Sequence, residues 1–155
     1  MEDIWNITAL VVSVLSVLLS LYALRQATTK NTSDMYLFFI SQYAKEDMKL
    51  ALRKLKDIKR GVYRLEQWES DMKNNLPKAF EYDEARRLVK YFYDTLAYMK
   101  LEKLIEARFV RLICLKKGAW LYLDTVEAME KFFDSGYDKK PYAVIRDVCE
   151  NLRKE

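Results

Sequence analysis

Acid–base and nucleophilic chemistry need matched side chains within reach of one another, and this 155-residue sequence supplies few such sets. It holds no histidine, which removes Ser-His-Asp and Cys-His catalysis, His-ligated zinc and His-based pH switching. Glu66/Glu69 and Glu127/Glu130 are three residues apart, a spacing that puts two carboxylates on one helix face. A di-iron bundle would also need Glu-x-x-His on two helices, and nothing marks a carboxylate pair for glycoside chemistry. There is no Gly-x-x-x-x-Gly-Lys phosphate loop and no Gly-x-Gly-x-x-Gly turn. Cys114 and Cys149 each sit in an apolar helical pattern. They read as small core residues in a reducing compartment, with a disulfide between them left open. The expectation is a protein that is not an enzyme and carries no cofactor and no metal.

What the chain does supply is charge and aromatic surface. Lys45, Lys49, Arg53, Lys54, Lys56, Lys59, Arg60 and Arg64 occupy one short stretch, opposed only by Glu46, Asp47 and Asp57. A basic amphipathic helix of this kind suits anionic headgroups, at roughly 1 kcal/mol per Lys or Arg close to the surface. It equally suits the phosphates of nucleic acid, or serves only as a solvated face that keeps the protein soluble. Tyr91 and Tyr93 flank Phe92, with Arg86, Arg87 and Lys90 nearby. An exposed Tyr pair among cations would make a partner-binding patch; the plainer alternative is half-buried rings with wet hydroxyls.

The elements that position these groups begin with an apolar run. No Asp, Glu, Lys or Arg lies between Asp3 and Arg25, and Ile4 to Leu24 are 21 residues, of which 16 are apolar. At about 1.5 Å per residue such a helix reaches roughly 31 Å, the thickness of a bilayer's hydrocarbon core. Trp5 and Tyr22 stand near its ends, where amphipathic rings prefer the headgroup boundary. The acidic start and the length of the run argue for a retained anchor over a cleavable signal peptide. Arg25 and Lys30 follow the run while no Lys or Arg precedes it, which places the N-terminus outside and the remainder in the cytoplasm. Asn6, Ala9, Ser13, Ser16, Ser20, Ala23 and Ala27 recur at alternating intervals of three and four. That a/d seam of small residues predicts a face on which two membrane helices pair with a left-handed crossing. The competing possibility is that each Ser bonds back to its own helix.

Beyond the run the pattern is helical throughout. Ser33 either caps a helix carrying Tyr36, Phe39, Ile40 and Tyr43 or lies within one that continues from the anchor. Met48, Leu52, Leu55 and Ile58 mark a helix ending before Gly61, and Leu65, Trp68 and Met72 mark a shorter one. Lys73 to Pro77 read as a loop. Asp83 is expected to open a helix with Ala85, Leu88, Phe92, Leu96 and Met99 on one face, broken near Lys100 to Lys103. Leu104, Ile105, Phe109, Leu112 and Ile113 lead to Gly118; Trp120, Leu123, Val126, Met129 and Phe133 lead to Gly136. Pro141 fits the first turn of a last helix that buries Tyr142, Ile145, Cys149 and Leu152. The expected architecture is all-α: an anchor and juxtamembrane turn over residues 1–30, and a cytoplasmic bundle of five or six helices over 31–155.

The anchor ending Ala23-Leu24-Arg25-Gln26-Ala27 is followed by an aromatic helix, a basic helix, Tyr91-Phe92-Tyr93-Asp94-Thr95-Leu96, and Leu123-Asp124-Thr125-Val126-Glu127 after Trp120. In this order the chain resembles a class of small prokaryotic single-span membrane-anchored proteins defined by a domain of unknown function. The resemblance implies a single-span anchor with a cytoplasmic helical bundle, and no site residues come with it. Together these features predict a membrane-tethered interaction or adaptor module that self-associates, or pairs with a second membrane protein, through its span. The alternative is a nucleic-acid binder held at the membrane and using residues 45–64.

Overall fold

The first and longest helix, α1 (Glu2–Ala44), runs through Ser33 without a cap there and stops where Lys45 turns to extended backbone. The computed structural model describes residues 2–133 and 137–154; the side chains of residues 2–15, 25, 27–29 and 31 lie outside the description. Contacts divide the chain into two compact units, Met1–Met35 and Tyr36–Glu155. In the first, the described large apolar side chains of Val17, Leu18, Leu19, Leu21, Tyr22 and Leu24 are all exposed, between 57% and 67%. Among the described residues no helix is long and apolar enough to cross a membrane, and the side chains of residues 4–15 of the apolar run are not among those described.

The second unit is all-helical, and no strand occurs among the described residues. After the end of α1 come α2 (Glu46–Lys59), α3 (Leu65–Lys73), α4 (Pro77–Leu101), α5 (Ala107–Cys114), α6 (Lys117–Leu121), α7 (Glu127–Phe133) and α8 (Lys139–Arg153). A π-helical turn, Tyr122–Val126, joins α6 to α7. Helix α4 is the centre, with α2, α3, α8 and the π turn packed against it. It opens at Pro77, whose missing N–H is harmless at the first helical position, rather than at Asp83 as the sequence suggested. Its buried face carries Ala85, Val89, Phe92, Tyr93 and Leu96, while Leu88 is exposed. The shift in phase has a cause: Asp83 and Arg86 are buried on this helix as well, paired with each other at 2.7 Å.

Those two charges belong to a buried ionic seam between α4 and α7. Arg86 also pairs with Glu130, and Asp83 with Arg87 at 2.8 Å. Lys90 reaches Asp94 at 2.6 Å and Glu130 at 3.8 Å, and Tyr122 donates to Asp94 at 2.5 Å. Helix α7 is tied to α8 through Glu127, which receives Tyr137 and Arg146. The many aromatics fill the core. Phe39 meets Phe92, Phe92 meets Tyr93, Tyr93 stacks on Tyr122 at 5.1 Å, and Tyr122 on Tyr142 at 4.5 Å. Trp68 is fully buried and donates its indole N–H to the Ala79 carbonyl at 3.2 Å.

Three helices end in the same way. Gly61 sits at φ +75°, and the N–H of Val62 returns to the Asp57 carbonyl at 3.0 Å, closing α2. Asn75 (φ 54°) and Lys103 (φ 56°) do the same for α3 and α4. The break expected near Lys100 to Lys103 is therefore real, although a lysine occupies the left-handed position. The next helix begins at Ala107, not Leu104, and ends at Cys114, so Gly118 lies inside α6 rather than after a helix. Asp138 caps α8 by accepting the Lys140 N–H at 2.9 Å, with Pro141 in the first turn as expected.

Candidate anion-binding groove

Helix α2 has two faces that differ in kind. Met48, Ala51, Leu55 and Ile58 are buried, and α2 packs against α4. Glu46 and Asp47 in the first turn, with Lys56 and Lys59 in the last, complement the helix dipole. Because the apolar face is already covered, α2 cannot lie in a membrane surface as a free amphipathic helix does. Only its outer, cationic face is available to an anion.

That outer face forms one wall of a groove of about 720 Å³. Lys49, Arg53, Lys56 and Arg60 line it at intervals of four, three and four, one stripe along the helix. Lys59 lines the same wall, and Lys117, at the start of α6, faces it from the other side. Between these cations lie Leu52, Tyr43, Trp120 and Leu121, and among the described residues no carboxylate-bearing one lines the groove. Lys49 pairs with Glu46 at 3.3 Å and Lys59 with Asp124 at 2.5 Å. Arg53, Lys56, Arg60 and Lys117 make no ion pair among the described residues. Four neighbouring cations held by packed helices repel one another until an anion sits between them.

Gly118 sets how closely α6 approaches. Its N–H donates to the Tyr43 hydroxyl at 3.2 Å. A Cβ at this position would stand 2.8 Å from the Tyr93 hydroxyl oxygen and 2.9 Å from that of Tyr43. Burial pushes the Tyr43 hydroxyl above its ordinary pKa, opposed by the smaller pull of the Gly118 N–H. The ring thus remains a neutral hydrogen-bonding wall at neutral pH. Trp120 is covered on one face by Arg153, whose guanidinium carbon is 3.9 Å from the ring centroid.

The eight basic residues expected to act together separate into four places. Lys49, Arg53, Lys56, Lys59 and Arg60 line the groove. Lys54 turns the other way, to Glu81 at 3.0 Å and the Tyr82 ring. Lys45 lines a different, apolar groove with Phe38, Leu88 and Tyr91, and Arg64 lies past the turn at Gly61, just before α3. Lys117 and Trp120 were missed because they arrive from a distant part of the chain; Lys49, Arg53, Lys56 and Arg60 lie within the basic stretch read from the sequence.

The expected Tyr91/Tyr93 patch does not form. Tyr91 is 75% exposed, but Tyr93 is fully buried, stacked on Tyr122. Arg86 is buried in the ionic seam, Lys90 is bound to Asp94, and only Arg87 joins Tyr91 at the surface. Successive helical positions point about 100° apart, so Tyr91 and Tyr93 fall on different faces. In the small-residue seam, Ser16, Ser20 and Ala23 are exposed, and Ser20 donates to the Ser16 carbonyl at 2.8 Å. The side chains of Asn6, Ala9, Ser13 and Ala27 lie outside the described residues.

No family model, no curated protein and no solved structure matches the chain.

Proposed function

We propose that this chain is a membrane-anchored helical binding module, not an enzyme, whose body takes phosphate-bearing anions of the lipid surface into the groove between α2 and α6. The observation that carries the reading is the row Arg53, Lys56 and Arg60 with Lys117 opposite: among the described residues, four cations without an ion pair around a concavity that no carboxylate lines. Cations so arranged favour a multiply charged ligand over single counterions, since one phosphate can meet two or three donors at once. The run Ile4–Leu24 is the anchor, with the body on the cytoplasmic side; its length, its lack of charge and the exposure of Val17 to Leu24 support this. In the protein's own solvent those exposed side chains meet lipid tails.

The test uses full-length protein in a neutral detergent, titrated with a short-chain phosphatidylglycerol. Replacing Arg53 and Lys56 together by Ala should weaken binding by about 2 kcal/mol, roughly thirtyfold, at about 1 kcal/mol per cation. Lys54→Ala, on the opposite side of α2, should leave it unchanged. Equal affinity of the double variant and the wild type would remove the groove from consideration. A second reading draws on one observation, that Tyr43 and Trp120 stand among the cations where bases stack. It takes the place of the first if a single-stranded oligonucleotide binds more tightly than the lipid at moderate salt.

The anchor is also the pairing helix in this proposal. Ser16, Ser20 and Ala23 lie in the small-residue seam, where backbones can approach closely. The Ser20 hydroxyl bonds back to Ser16, and its oxygen retains lone pairs for a neighbour. Cysteine crosslinking in a Cys114/Cys149-free background should be strong at positions 13, 16 and 20 and weak at 15 and 18. A flat profile would leave the chain anchored but unpaired.

A further inference from the structure

Cys114 is the last residue of α5 and Cys149 lies within α8, 35 positions further on, yet the two line one small pocket. Both are unoxidised, and each is about 1% exposed. They are nevertheless not sealed in. Both line a pocket of about 190 Å³ whose other walls are Leu115, Trp120, Leu152 and Arg153, and Leu115 and Arg153 are exposed. A small solute in this pocket is therefore next to both cysteines. Helix α5 packs against α8, and a disulfide between them wants its Cβ atoms about 3.5–4.5 Å apart.

We propose that Cys114 and Cys149 form a reactive dithiol, a modification site at which a small hydroperoxide is reduced while the two sulfurs are joined, tying the end of α5 to α8. The two thiols are not equivalent. The hydrogen bond from Cys114 holds the Cys149 thiol below its ordinary pKa, against burial and with help from the Arg153 charge. The same hydrogen bond, with burial, pushes Cys114 up. Cys149 is the attacking sulfur, because Arg153, four residues further along α8, lines the same pocket and its charge favours the Cys149 thiolate, the nucleophile.

In the first step the Cys149 thiolate attacks the terminal peroxide oxygen and the O–O bond breaks. The leaving oxygen takes the proton that Cys149 gave up and departs as water or an alcohol. Cys149, oxidised by two electrons, is now a sulfenic acid. In the second step the Cys114 sulfur attacks the Cys149 sulfur and the S–O bond breaks. The hydroxide so released takes the Cys114 proton and leaves as water. Two thiols and one hydroperoxide thus give one disulfide, one water and one further water or alcohol. The leaving site is next to Trp120, which lines both this pocket and the basic groove, but the inference stands whether or not the groove binds anions.

The experiment treats reduced full-length protein in detergent with a few equivalents of hydrogen peroxide. Free thiols are then titrated in the unfolded chain, with intact mass and a non-reducing gel alongside. Both thiols should disappear together, the mass should fall by two hydrogens, and the chain should run as a monomer. Cys114→Ser should stop at a sulfenic acid on Cys149 that dimedone captures. Cys149→Ser should slow oxidation by about tenfold or more, with circular dichroism verifying that both variants are folded. The wild-type result needs no variant at all. Survival of both thiols, a disulfide between chains, or equal reactivity of the two single variants would overturn the proposal.

Discussion

Along the seam between α4 and α7, the charges of Asp83, Arg86, Lys90 and Glu130 each meet an opposite one, whereas along the outer face of α2 the charges of Arg53, Lys56 and Arg60 meet none among the described residues. The two regions are built from the same residue types and lie within one folded unit. What separates them is water. Asp83, Arg86 and Glu130 are buried, and an ion removed from water is tolerated only where an opposite charge and hydrogen bonds replace its hydration. Arg53, Lys56 and Arg60 are exposed, so water solvates them and no partner is required. A buried charge therefore says little about function here, because its partner explains it. An exposed row of one sign, held on a packed helix and facing a concavity, is open to an anion from outside, and this is why the groove rather than the seam carries the functional proposal.

The strongest way to break this contrast is Arg86→Met. Its side chain is 8% exposed, is shared between Asp83 and Glu130, and covers the ring of Phe133 at 4.7 Å. Asp83 would keep Arg87, but Glu130 would be left with Lys90 alone, at 3.8 Å. Removing one partner of a buried pair costs about 3–5 kcal/mol, to be read from urea midpoints of the full chain in detergent. Lys56→Met in the groove should change stability by about 0.5 kcal/mol or less, as exposed substitutions do. Adding Glu130→Met to Arg86→Met should recover a large part of the loss, since the orphaned carboxylate goes with it. If the two single variants were equally stable, burial would not be what divides the regions.

How much of this was legible in sequence follows the same division. The helices with clean apolar spacing were visible, α2 and its end at Gly61 above all, because only glycine takes φ +75° freely. The end of α4 was placed near Lys103 without a local reason, since a lysine at φ 56° carries no turn signature; the turn is imposed by Leu104 returning its N–H to the Met99 carbonyl at 2.9 Å. The phase of α4 was misjudged because an apolar pattern cannot register Asp83 and Arg86 as interior residues. Their burial depends on Glu130, which is 44 positions beyond Arg86. Tyr93 was misplaced for a related reason: its burial depends on Tyr122 and Gly118, supplied from elsewhere in the chain. The groove was half visible. Its α2 wall is written locally as cations at intervals of three and four, while Lys117 and Trp120 join it only through tertiary packing.

A smaller effect, and one that joins the two regions, is expected at Gly118. In an ordinary helix interior Gly→Ala stabilises by roughly 0.5–1 kcal/mol, because alanine loses less backbone freedom. Here the added methyl would meet the Tyr93 oxygen at 2.8 Å and Tyr43 at 2.9 and 3.0 Å. Tyr93 cannot retreat, being fully buried between Phe92 and Tyr122. Tyr43 is only half-buried and can swing, but the space open to it is the groove it lines. Gly118→Ala should therefore destabilise the fold by about 1–3 kcal/mol, the usual result of overpacking, and weaken anion binding although no charge has changed. The sign decides the matter. A net gain in the urea midpoint would mean that α6 does not press on the two tyrosines, and the groove would then owe its shape to α2 alone. A loss of stability with unchanged binding would place the strain wholly on Tyr93, inside the core, and leave Tyr43 in position as the groove's fixed wall.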